Sequence, residues 1–378
     1  MIYLDNAATT YPKPRSVRNA AFGAINSANP GRSGHKMSIS ASEQIFRCRV
    51  KAASLFGASS PENVIFTSGC TQAANMVIKG VTSKKGGHVV VSDLEHNAVM
   101  RPLSAVAGDG VSYTVVKTSQ DDEETLRAFR DALRSDTRLV VCTQISNVWG
   151  IRLPVERIAA MCRQYGIPIM IDAAQSAGVV KINAADNFDF VCIAGHKGLY
   201  APMGTGILIA QRPEIMRTII EGGTGSKSRS LEMPDVLPDR FESGTPNLSG
   251  IVGMSSGIDF VKNIGEERIR SHEVGLISKL YDRLSRNRRV ILYTARPQVD
   301  KCGGVLSFNI EGMDSESAAA LLDERGIAVR AGLHCSPAAH EHFGTQDIGA
   351  VRISTSYFTT ENDIFAAARA IDVITNIK

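Results

Sequence analysis

The chain has 378 residues, of which 43% are hydrophobic and 21% charged, so it is long enough for one large core and a smaller second domain. Its 42 basic and 38 acidic residues leave a net charge of only +4 with no dense basic run, which argues against nucleic acid as a main partner. No apolar stretch approaches the ~20 residues that span a bilayer, and "MIYLDNAATT" lacks the layout of a secretory signal. We therefore expect a cytoplasmic protein with no membrane partner.

Short apolar runs alternate with amphipathic segments from about residue 60 to 210. The strand candidates are, in order, "NVIFTS", "HVVVSD", "VSYTVV", "RLVVCTQIS", "IPIMIDAA", "DFVCIAG" and "TGILIAQ". Such apolar strands are typical of a mostly parallel sheet with helices on both faces. The pattern predicts an α/β fold built on a mostly parallel seven-stranded sheet covered by helices.

Helices are predicted between these strands, as in "TQAANMVIKGV" and "DDEETLRAFRDALRS". A third, "PVERIAAMCRQYG", opens on Pro154 and closes on Gly166, the residue types expected at those positions. The Gly-, Ser- and Pro-rich stretch from Glu221 to Asn247 has little periodicity and predicts a long functional loop. Beyond it, long helical patterns, the strand candidates "GGVLSFNI", "IAVRAG" and "AVRISTSY", and a closing helix from about Glu361 predict a smaller α+β domain.

The seven cysteines are odd in number, scattered, and form no CxxC pair, so reduced thiols are expected. Several lie in apolar runs, where a free cysteine usually behaves as a small buried hydrophobe. Cys335 differs, because "VRAGLHCSPAAHEHFGT" surrounds it with Gly, Ala, Ser, Pro and His.

Two strand ends carry groups that could bind a charged ligand. "NVIFTSGCTQAANMVIKG" runs through Cys70 and Thr71 into a helix, whose first N–H groups and dipole can hold a phosphate. "IPIMIDAAQSAG" ends a strand on Asp172, followed by Gln175, at the edge where α/β sheets bind ligands. Each pattern also occurs as plain helix capping, so neither decides the function alone.

"DFVCIAGHKGLYAPMGTGILIA" places His196 and Lys197 just after a strand and between glycines. A lysine in such a turn can be desolvated, which lowers its pKa and makes it nucleophilic toward a carbonyl; the alternative is an ordinary solvated lysine. A phosphate cradle, a strand-end Asp172 and a reactive Lys197 are together the groups that pyridoxal 5'-phosphate requires.

With "YLDNAATT", "EHNA", "SNVWG", "RFESGTPN", "RAGLHC" and "VRIS", these motifs resemble the class V aminotransferase-like, fold-type I enzymes. Within them the chain resembles the cysteine desulfurases, in particular the shorter-loop, selenocysteine-lyase-like group. The resemblance implies a homodimer with shared active sites. It also implies a large cofactor-binding domain over 16–250 and a small domain formed by 1–15 and 251–378.

The same resemblance assigns roles around pyridoxal phosphate. Lys197 would bond the cofactor and act as the base, Asp172 would pair with its ring nitrogen, and Gln175 would bind its ring hydroxyl. His96 of "EHNA" would stack on the ring and move protons, and Asn147 of "SNVWG" would lie near the cofactor and substrate.

For the phosphate, the resemblance implies Thr71 and His196 as ligands, with Thr245 reaching the phosphate of the neighbouring subunit. At two positions this chain departs from the family pattern and lacks a hydroxyl group that could bind the phosphate. Ala194 stands where many relatives have serine, and Cys70 stands where a hydroxyl residue is common. A lost hydrogen bond costs roughly 1 to 3 kcal/mol if its partner stays buried and unpaired.

Substrate recognition is expected from Arg352 in "GAVRISTSY", where an arginine lies in an apolar strand pattern. A substrate carboxylate could satisfy its guanidinium in a bidentate manner, and so could a protein acid. The resemblance favours the substrate. His35 of "NPGRSGHKMS" is a second candidate, at the entrance of the site.

Cys335 has His334 beside it and Arg330 nearby, and electropositive surroundings favour a thiolate. The resemblance implies that this thiol accepts sulfur. Two other interpretations are a buried inert cysteine and a metal site with His340 and His342. The latter lacks a fourth ligand and the usual zinc spacing, so no metal is assigned.

We therefore expect a pyridoxal-phosphate-dependent cysteine desulfurase that converts L-cysteine to L-alanine and leaves a persulfide on Cys335 for a sulfur-acceptor protein. Alternatives on the same fold are a selenocysteine lyase, a cysteine sulfinate desulfinase and a class V aminotransferase. A sulfur carrier without enzymatic activity is a further alternative, because fold alone does not fix function.

Overall fold

The computed structural model describes residues 1–31, 33–82 and 86–376. Its strands are β1 (Ile2–Tyr3), β2 (Val64–Thr67), β3 (Gly87–Ser92), β4 (Val111–Val116), β5 (Thr137–Thr143), β6 (Ile169–Asp172), β7 (Phe190–Ala194), β8 (Gly206–Ala210), β9 (Val290–Leu292), β10 (Val305–Ile310), β11 (Ile327–Ala328) and β12 (Val351–Ser354). Its α-helices are α1 (Arg15–Ala24), α2 (Lys36–Phe56), α3 (Cys70–Thr82), α4 (Asn97–Ala107), α5 (Asp122–Asp131), α6 (Val155–Gln164), α7 (Ala184–Asn187), α8 (Leu248–Ile264), α9 (Glu266–Leu284), α10 (Ser315–Asp323), α11 (Pro337–His342) and α12 (Glu361–Ile374).

The predicted seven-stranded sheet is confirmed, and its strand order is β2-β8-β7-β6-β5-β3-β4. The five strands from β4 to β7 in that order pair in parallel, whereas β8 runs antiparallel to both β2 and β7. All seven apolar runs identified in the sequence lie in this sheet. The β4 strand forms one edge, which explains why its Tyr113 and Val115 side chains are exposed.

Helices cover both faces of the sheet, so alternate side chains of one strand enter different cores. On β5, Val140 and Cys142 pack with residues of α2, α6 and α8, whereas Leu139 and Val141 pack with residues of α3 and α4. Burying one such aliphatic side chain contributes about 1.5 to 3 kcal/mol. This two-sided burial is the physical reason that the strands are apolar throughout rather than alternating.

A second layer forms around the antiparallel sheet β12-β10-β9 and helices α9, α10 and α12. The first strand, β1, pairs in parallel with β11, and Leu4 is buried in this second core. The predicted domain limits stay a prediction. The limit at 250/251 falls inside α8, whose apolar side chains pack in the core of the large sheet.

Several element ends follow the local sequence chemistry. Pro154 directly precedes α6, and Gly166 after it has φ +68°, a left-handed conformation that favours glycine. Thr360 and Asp363 form a reciprocal capping box at the start of α12. The stretch from Glu221 to Asn247 contains no helix or strand, as predicted for this described segment.

Candidate active site

The carboxyl ends of the central strands surround one cavity of about 340 Å³. Strands β5, β6 and β7 contribute residues at their ends, and the segment after β3 contributes His96. The predicted site residues in its wall are Cys70, Thr71, His96, Asn147, Asp172, Gln175, His196, Lys197, Cys335 and Arg352. This is the edge at which open α/β sheets bind their ligands.

Lys197 lies in the turn between β7 and β8, and its side chain is partly buried in the cavity wall. The turn is tightly packed, because a Cβ atom on the neighbouring Gly198 would lie 2.2 Å from the Ala177 carbonyl oxygen. Burial lowers the pKa of the Lys197 amine, and the Asp172 carboxylate opposes this shift. The site thus favours the neutral, nucleophilic form of the amine more than water does.

An N-terminal segment fixes the backbone of this turn. The His196 carbonyl oxygen accepts hydrogen bonds from Lys13 Nζ at 2.6 Å and from Thr9 Oγ1 at 3.0 Å. The Lys197 carbonyl accepts one from Thr10 Oγ1 at 3.0 Å. Burial lowers the pKa of Lys13 to about 8. Sequence reasoning missed Lys13, because nothing local links "YPKP" to a turn more than 180 residues away.

Asp172 is almost completely buried beside the lysine. Its Oδ1 accepts hydrogen bonds from the Ala174 backbone N–H at 2.8 Å and from the Cys70 thiol at 3.3 Å. Burial, followed by the charge of Asp172, raises the pKa of Cys70 well above its usual range, so Cys70 stays a neutral thiol. Gln175 donates through Nε2 to the Ala7 carbonyl oxygen at 3.0 Å, which orients its amide in the wall.

The start of α3, where the sequence predicts a phosphate site, lies in the cavity wall. The first N–H groups of a helix have no helical acceptor, and here they belong to Cys70 and Thr71 in the cavity wall. His196 lies in the same wall, and its buried Nδ1 has no hydrogen-bond partner among the described residues. Burial lowers the pKa of His196 to about 4, with the charges of Lys197 and Lys13 adding to the effect.

His96 caps α4 and faces the cavity as a neutral imidazole. Its Nδ1 accepts a hydrogen bond from the Ala98 backbone N–H at 2.9 Å, so the ring proton is on Nε2. Burial lowers the pKa of His96 to about 4, although the Asp172 carboxylate opposes the shift. Near neutral pH this side chain is therefore a hydrogen-bond donor through Nε2.

Arg352 is 2% exposed and has a protein acid as its partner, the alternative that its sequence context left open. Its Nη2 is 2.7 Å from Asp5 Oδ1, and its Nη1 donates to the Asn147 carbonyl oxygen at 2.9 Å. Its Nε is buried without a partner among the described residues. Arg352 lines the same cavity as Lys197, so its guanidinium lies where it could bind a ligand.

Arg330 is a second guanidinium in the cavity wall, and its side chain has no partner among the residues that the structure describes. Sequence reasoning used Arg330 only as a neighbour of Cys335. The isolated bridge between Arg330 and Arg352 explains their proximity, because it joins the segment before the cysteine loop to β12. The signal that could have found it is an arginine between small apolar residues in "IAVRAG".

Cys335 is exposed at the cavity wall, unlike the other six cysteines, and all seven are free thiols within the described residues. The interpretation as a buried inert cysteine is therefore wrong. His334 and Cys335 have φ values of +51° and +57°, a conformation that costs roughly 1 to 2 kcal/mol per non-glycine residue. Contacts from the rest of the protein must hold this conformation in place.

Those contacts come from both sides of the loop. Asn147 donates through Nδ2 to the His334 carbonyl oxygen at 2.9 Å and accepts through Oδ1 from Ser336 Oγ at 2.8 Å. The Asn97 backbone N–H donates to the Cys335 carbonyl oxygen at 2.7 Å. Asn147 lies in the predicted site, and its amide holds the cysteine loop.

The structure leaves two predicted site residues outside this cavity. Thr245 is exposed and does not line the cavity of its own chain. His35 is exposed at the start of α2, where its Nδ1 accepts a hydrogen bond from the Ser38 backbone N–H at 3.1 Å. Helix capping therefore accounts for His35 within one chain.

Within the described ranges, no group of three His, Cys, Asp or Glu side chains could hold a metal ion. The histidines near Cys335 have other partners: His340 contacts His334, and His342 Nδ1 lies 2.5 Å from Asp93 Oδ2. None of the helices in these ranges is long and apolar enough to cross a membrane.

The model of the aminotransferase class-V family matches residues 2–366. The chain belongs to the aminotransferase class-V family. A protein of Methanothermobacter thermautotrophicus named probable cysteine desulfurase is 34% identical over 99% of this chain and 94% of its own length. A solved apo structure of a cysteine desulfurase from Thermococcus onnurineus has a TM-score of 0.90 at 27% identity and covers 99% of this chain and 94% of that one. The crystal structure of the cysteine desulfurase CsdA of Escherichia coli has a TM-score of 0.86 at 26% identity and covers 98% of this chain and 94% of that one.

These comparisons confirm the resemblance and the fold type predicted from the motifs. Enzymes of this family generally use pyridoxal phosphate. The residues of the cavity suit that cofactor, because its wall contains the Lys197 amine, the buried Asp172 carboxylate, a helix start, and a His196 Nδ1 that has no partner among the described residues. They match its aldehyde, its ring nitrogen and its phosphate in chemistry.

Proposed function

We propose that the protein is a cysteine desulfurase that removes sulfur from L-cysteine, releases L-alanine and receives the sulfur on Cys335. The observation that carries the proposal is the single cavity lined by Lys197, Asp172 and the exposed thiol of Cys335. The relatives named cysteine desulfurase support it over nearly the whole chain.

Pyridoxal phosphate would be held by Lys197 through its aldehyde, by Asp172 through the ring nitrogen and by Gln175 through the ring hydroxyl. Thr71, the N–H groups at the start of α3 and His196 would bind its phosphate. When bound, the cofactor supplies an electron sink that stabilises negative charge on the substrate Cα. Asp172, which is buried and forms no ion pair among the described residues, would keep the ring nitrogen protonated.

The Arg352 guanidinium would bind the substrate carboxylate in the cavity, while Asp5 orients it by accepting a hydrogen bond from Nη2 at 2.7 Å. This contact would orient the substrate with its sulfur toward Cys335. Arg330, in the same wall without a side-chain partner among the described residues, would add positive potential where the thiolate and the substrate sulfur meet.

Proton transfer follows from the protonation states of the site. The lowered pKa of Lys197 suits it to take a proton from the substrate Cα. His96 would donate a hydrogen bond from Nε2 to the bound substrate or cofactor, because its Nδ1 accepts from the Ala98 N–H. Cys335 forms an S–S bond to the substrate sulfur, the substrate C–S bond breaks, and the carbon receives a proton. Cysteine and a thiol thereby give alanine and a persulfide without an external oxidant.

The test compares the protein with its Cys335→Ala and Lys197→Ala variants, each incubated with L-cysteine and pyridoxal phosphate. We expect the protein to release alanine and to absorb visible light through the Lys197-bound cofactor. Cys335→Ala should keep the absorbance and lose sulfur transfer, whereas Lys197→Ala should lose both. Undiminished alanine release and sulfur transfer by Cys335→Ala would refute the proposal.

The same assay separates the related activities. Selenocysteine or cysteine sulfinate turned over faster than cysteine, with little effect of Cys335→Ala, would assign the protein to the lyases of those substrates. Formation of a keto acid, with no effect of Cys335→Ala, would assign it to the aminotransferases. A colourless protein would indicate a sulfur carrier without enzymatic activity.

We infer a homodimer in which each active site uses both chains. Thr245 is exposed and away from the cavity of its own chain, as expected of a residue that serves a neighbour. Apolar side chains are also exposed on α1 and α2, namely Phe22, Ile39, Phe46 and Val50. Light scattering should give twice the chain mass of 40.6 kDa. A monomer with full activity would refute this part of the proposal.

We also propose that a sulfur-acceptor protein takes the persulfide and that the enzyme works in the cytoplasm. The exposed position of Cys335 supports transfer to a second protein, and seven free cysteines are typical of a reducing compartment. Cell fractionation tests the location, and release of labelled sulfur to a candidate acceptor tests the partner.

A further inference from the structure

Three side chains form a hydrogen-bonded chain behind Cys335. His334 Nδ1 is 3.3 Å from His340 Nε2, and His340 Nδ1 is 2.7 Å from Thr345 Oγ1. The two imidazoles stack, with centroids 5.6 Å apart and planes within 10°. His340 and Thr345 are completely buried and His334 is nearly so. The proposed function uses neither His340 nor Thr345.

The direction of these hydrogen bonds follows from their ends. The Thr345 hydroxyl has one proton, and its nearest acceptor is His340 Nδ1 at 2.7 Å, whereas the His340 carbonyl is 3.3 Å away. That carbonyl already accepts from the Thr345 backbone N–H at 2.8 Å. At the other end, His334 Nε2 lies 3.5 Å from the Arg330 carbonyl oxygen, and we assign the ring proton to this nitrogen because a carbonyl oxygen only accepts. In this assignment His334 Nδ1 is the acceptor and His340 Nε2 is the donor.

This arrangement leaves neither imidazole with a free lone pair. His334 is adjacent to Cys335, yet both of its nitrogens are engaged, so it does not act as the base for the thiol. A second proton on the pair would set two N–H groups against each other. Burial accordingly lowers the pKa of His334 to about 2 and that of His340 to about 4. The pair is a neutral and directional contact.

We propose that His340 is a positioning residue for the sulfur-accepting thiol, because its hydrogen bond to His334 holds the left-handed His334–Cys335 segment against the cavity. This inference rests on the proposed function and adds a residue to it. Asn147 and Asn97 hold the carbonyl groups of His334 and Cys335, whereas His340 holds the His334 side chain. With all three contacts, the loop can sustain two successive residues in a conformation that side chains rarely adopt.

His340 also packs against Trp149, with ring centroids 5.5 Å apart, and α11 is further held by the Trp149 indole N–H bonded to the Ala339 carbonyl at 2.9 Å. A test must therefore separate the hydrogen bond from simple packing. His340→Gln and His340→Asn do so, because the Gln amide nitrogen occupies the position of imidazole Nε2 and the Asn oxygen occupies that of Nδ1. Gln retains the bond to His334, and Asn retains only the bond to Thr345.

The experiment measures hydrogen exchange of residues 330–336 and the single-turnover rate of persulfide formation with cysteine in the full-length protein carrying its cofactor. We expect His340→Asn to raise exchange in 330–336 and to slow persulfide formation roughly tenfold or more, with the KM for cysteine unchanged. His340→Gln should stay within about threefold of the unmodified protein. Glu341→Gln, at an exposed position of the same helix, is the matched control.

Equal losses in both His340 variants would assign His340 to packing against Trp149 and overturn the proposal, as would normal exchange and normal rates in both. If the unmodified protein forms no persulfide at all, the proposed function fails. In that case the exchange of residues 330–336 still decides whether the bond from His340 holds the loop.

Discussion

Glu95 offers a sharp test of the electrostatics behind the cavity. This residue precedes His96 in the chain and is completely buried. Its Oε1 accepts hydrogen bonds from Ser92 Oγ at 2.5 Å and from the Thr143 backbone N–H at 2.6 Å. Its Oε2 has no partner within the described residues. Burial raises the pKa of Glu95 from 4.5 to about 8, with the charge of Asp172 contributing in the same direction. Near neutral pH the folded protein therefore keeps this acid protonated.

The sign of the pH effect follows from that raised pKa. Below pH 4.5 both folded and unfolded chains bind the proton, so Glu95 adds no pH dependence. Between 4.5 and about 8 only the unfolded chain releases it, and the free energy of unfolding falls by about 1.4 kcal/mol per pH unit. The Glu95→Gln variant retains the shape and the Oε1 acceptor but cannot ionise. Relative to the unmodified protein, its stability should rise by about 3 kcal/mol between pH 5 and 7.5.

The assay is urea unfolding of the unmodified and variant proteins at both pH values, in the same buffer. The quantity of interest is the change in their stability difference, because constant effects of the substitution cancel in it. Glu232→Gln, at an exposed position, is the control. A stability difference for Glu95→Gln that does not change between pH 5 and 7.5 would refute the assignment of a neutral buried acid.

Further outcomes follow from the cavity. Thr71→Val removes a hydroxyl from the predicted phosphate site and should weaken cofactor binding roughly tenfold, which corresponds to about 1.4 kcal/mol of binding free energy. Equilibrium dialysis measures this affinity, and an unchanged value would show that Thr71 does not bind the phosphate. Asp5→Asn removes the charge that orients Arg352 and should raise the KM for cysteine roughly tenfold, again about 1.4 kcal/mol of binding free energy, with a smaller change in kcat. A change confined to kcat would contradict this role. Because the pKa of His96 lies near 4, its protonation should not limit kcat/KM above about pH 5.5; an acidic limb near pH 6.5 that is lost in His96→Gln would contradict this.

The sheet could be predicted because strands that are buried on both faces consist almost entirely of apolar residues. Strands β6, β7 and β8 are buried at every position, so their sequences contain unbroken apolar runs. The grouping of Lys197 and Asp172 could be predicted for a related reason, since Asp172 ends β6 and Lys197 follows β7, and the carboxyl ends of parallel strands meet at one edge of the sheet. Local patterns thus carried the information for these contacts.

Contacts between segments that are distant in the chain produce no local sequence pattern, so they could not be predicted. The pairing of Asp5 with Arg352 depends on how the N-terminal segment docks beside β12, and nothing near either residue indicates it. The thiol of Cys70 was expected only to weaken the phosphate cradle, whereas in the structure it donates a hydrogen bond to Asp172. The predicted intersubunit role of Thr245 stays a prediction, because it concerns a contact between two chains.

The bonds that hold the cysteine loop were equally hidden. His340 entered the sequence interpretation only as a metal-ligand alternative, and its contact with His334 arises because α11 folds back behind the loop. The histidine spacing in "HCSPAAHEH" is compatible with many arrangements. The contact between His334 and His340 depends on the position of α11 in the folded chain and on the hydrogen bond between His340 and Thr345.

The central claim is that Cys335 receives sulfur from cysteine bound in the cavity of Lys197. The most direct measurement is to incubate the protein, loaded with pyridoxal phosphate, with L-cysteine and to locate added sulfur by peptide mass mapping while measuring alanine. We predict one added sulfur on the peptide that contains Cys335, matched by alanine release, and none in Lys197→Ala. Alanine release with no sulfur on that peptide, or persulfide on another cysteine alone, would contradict the account.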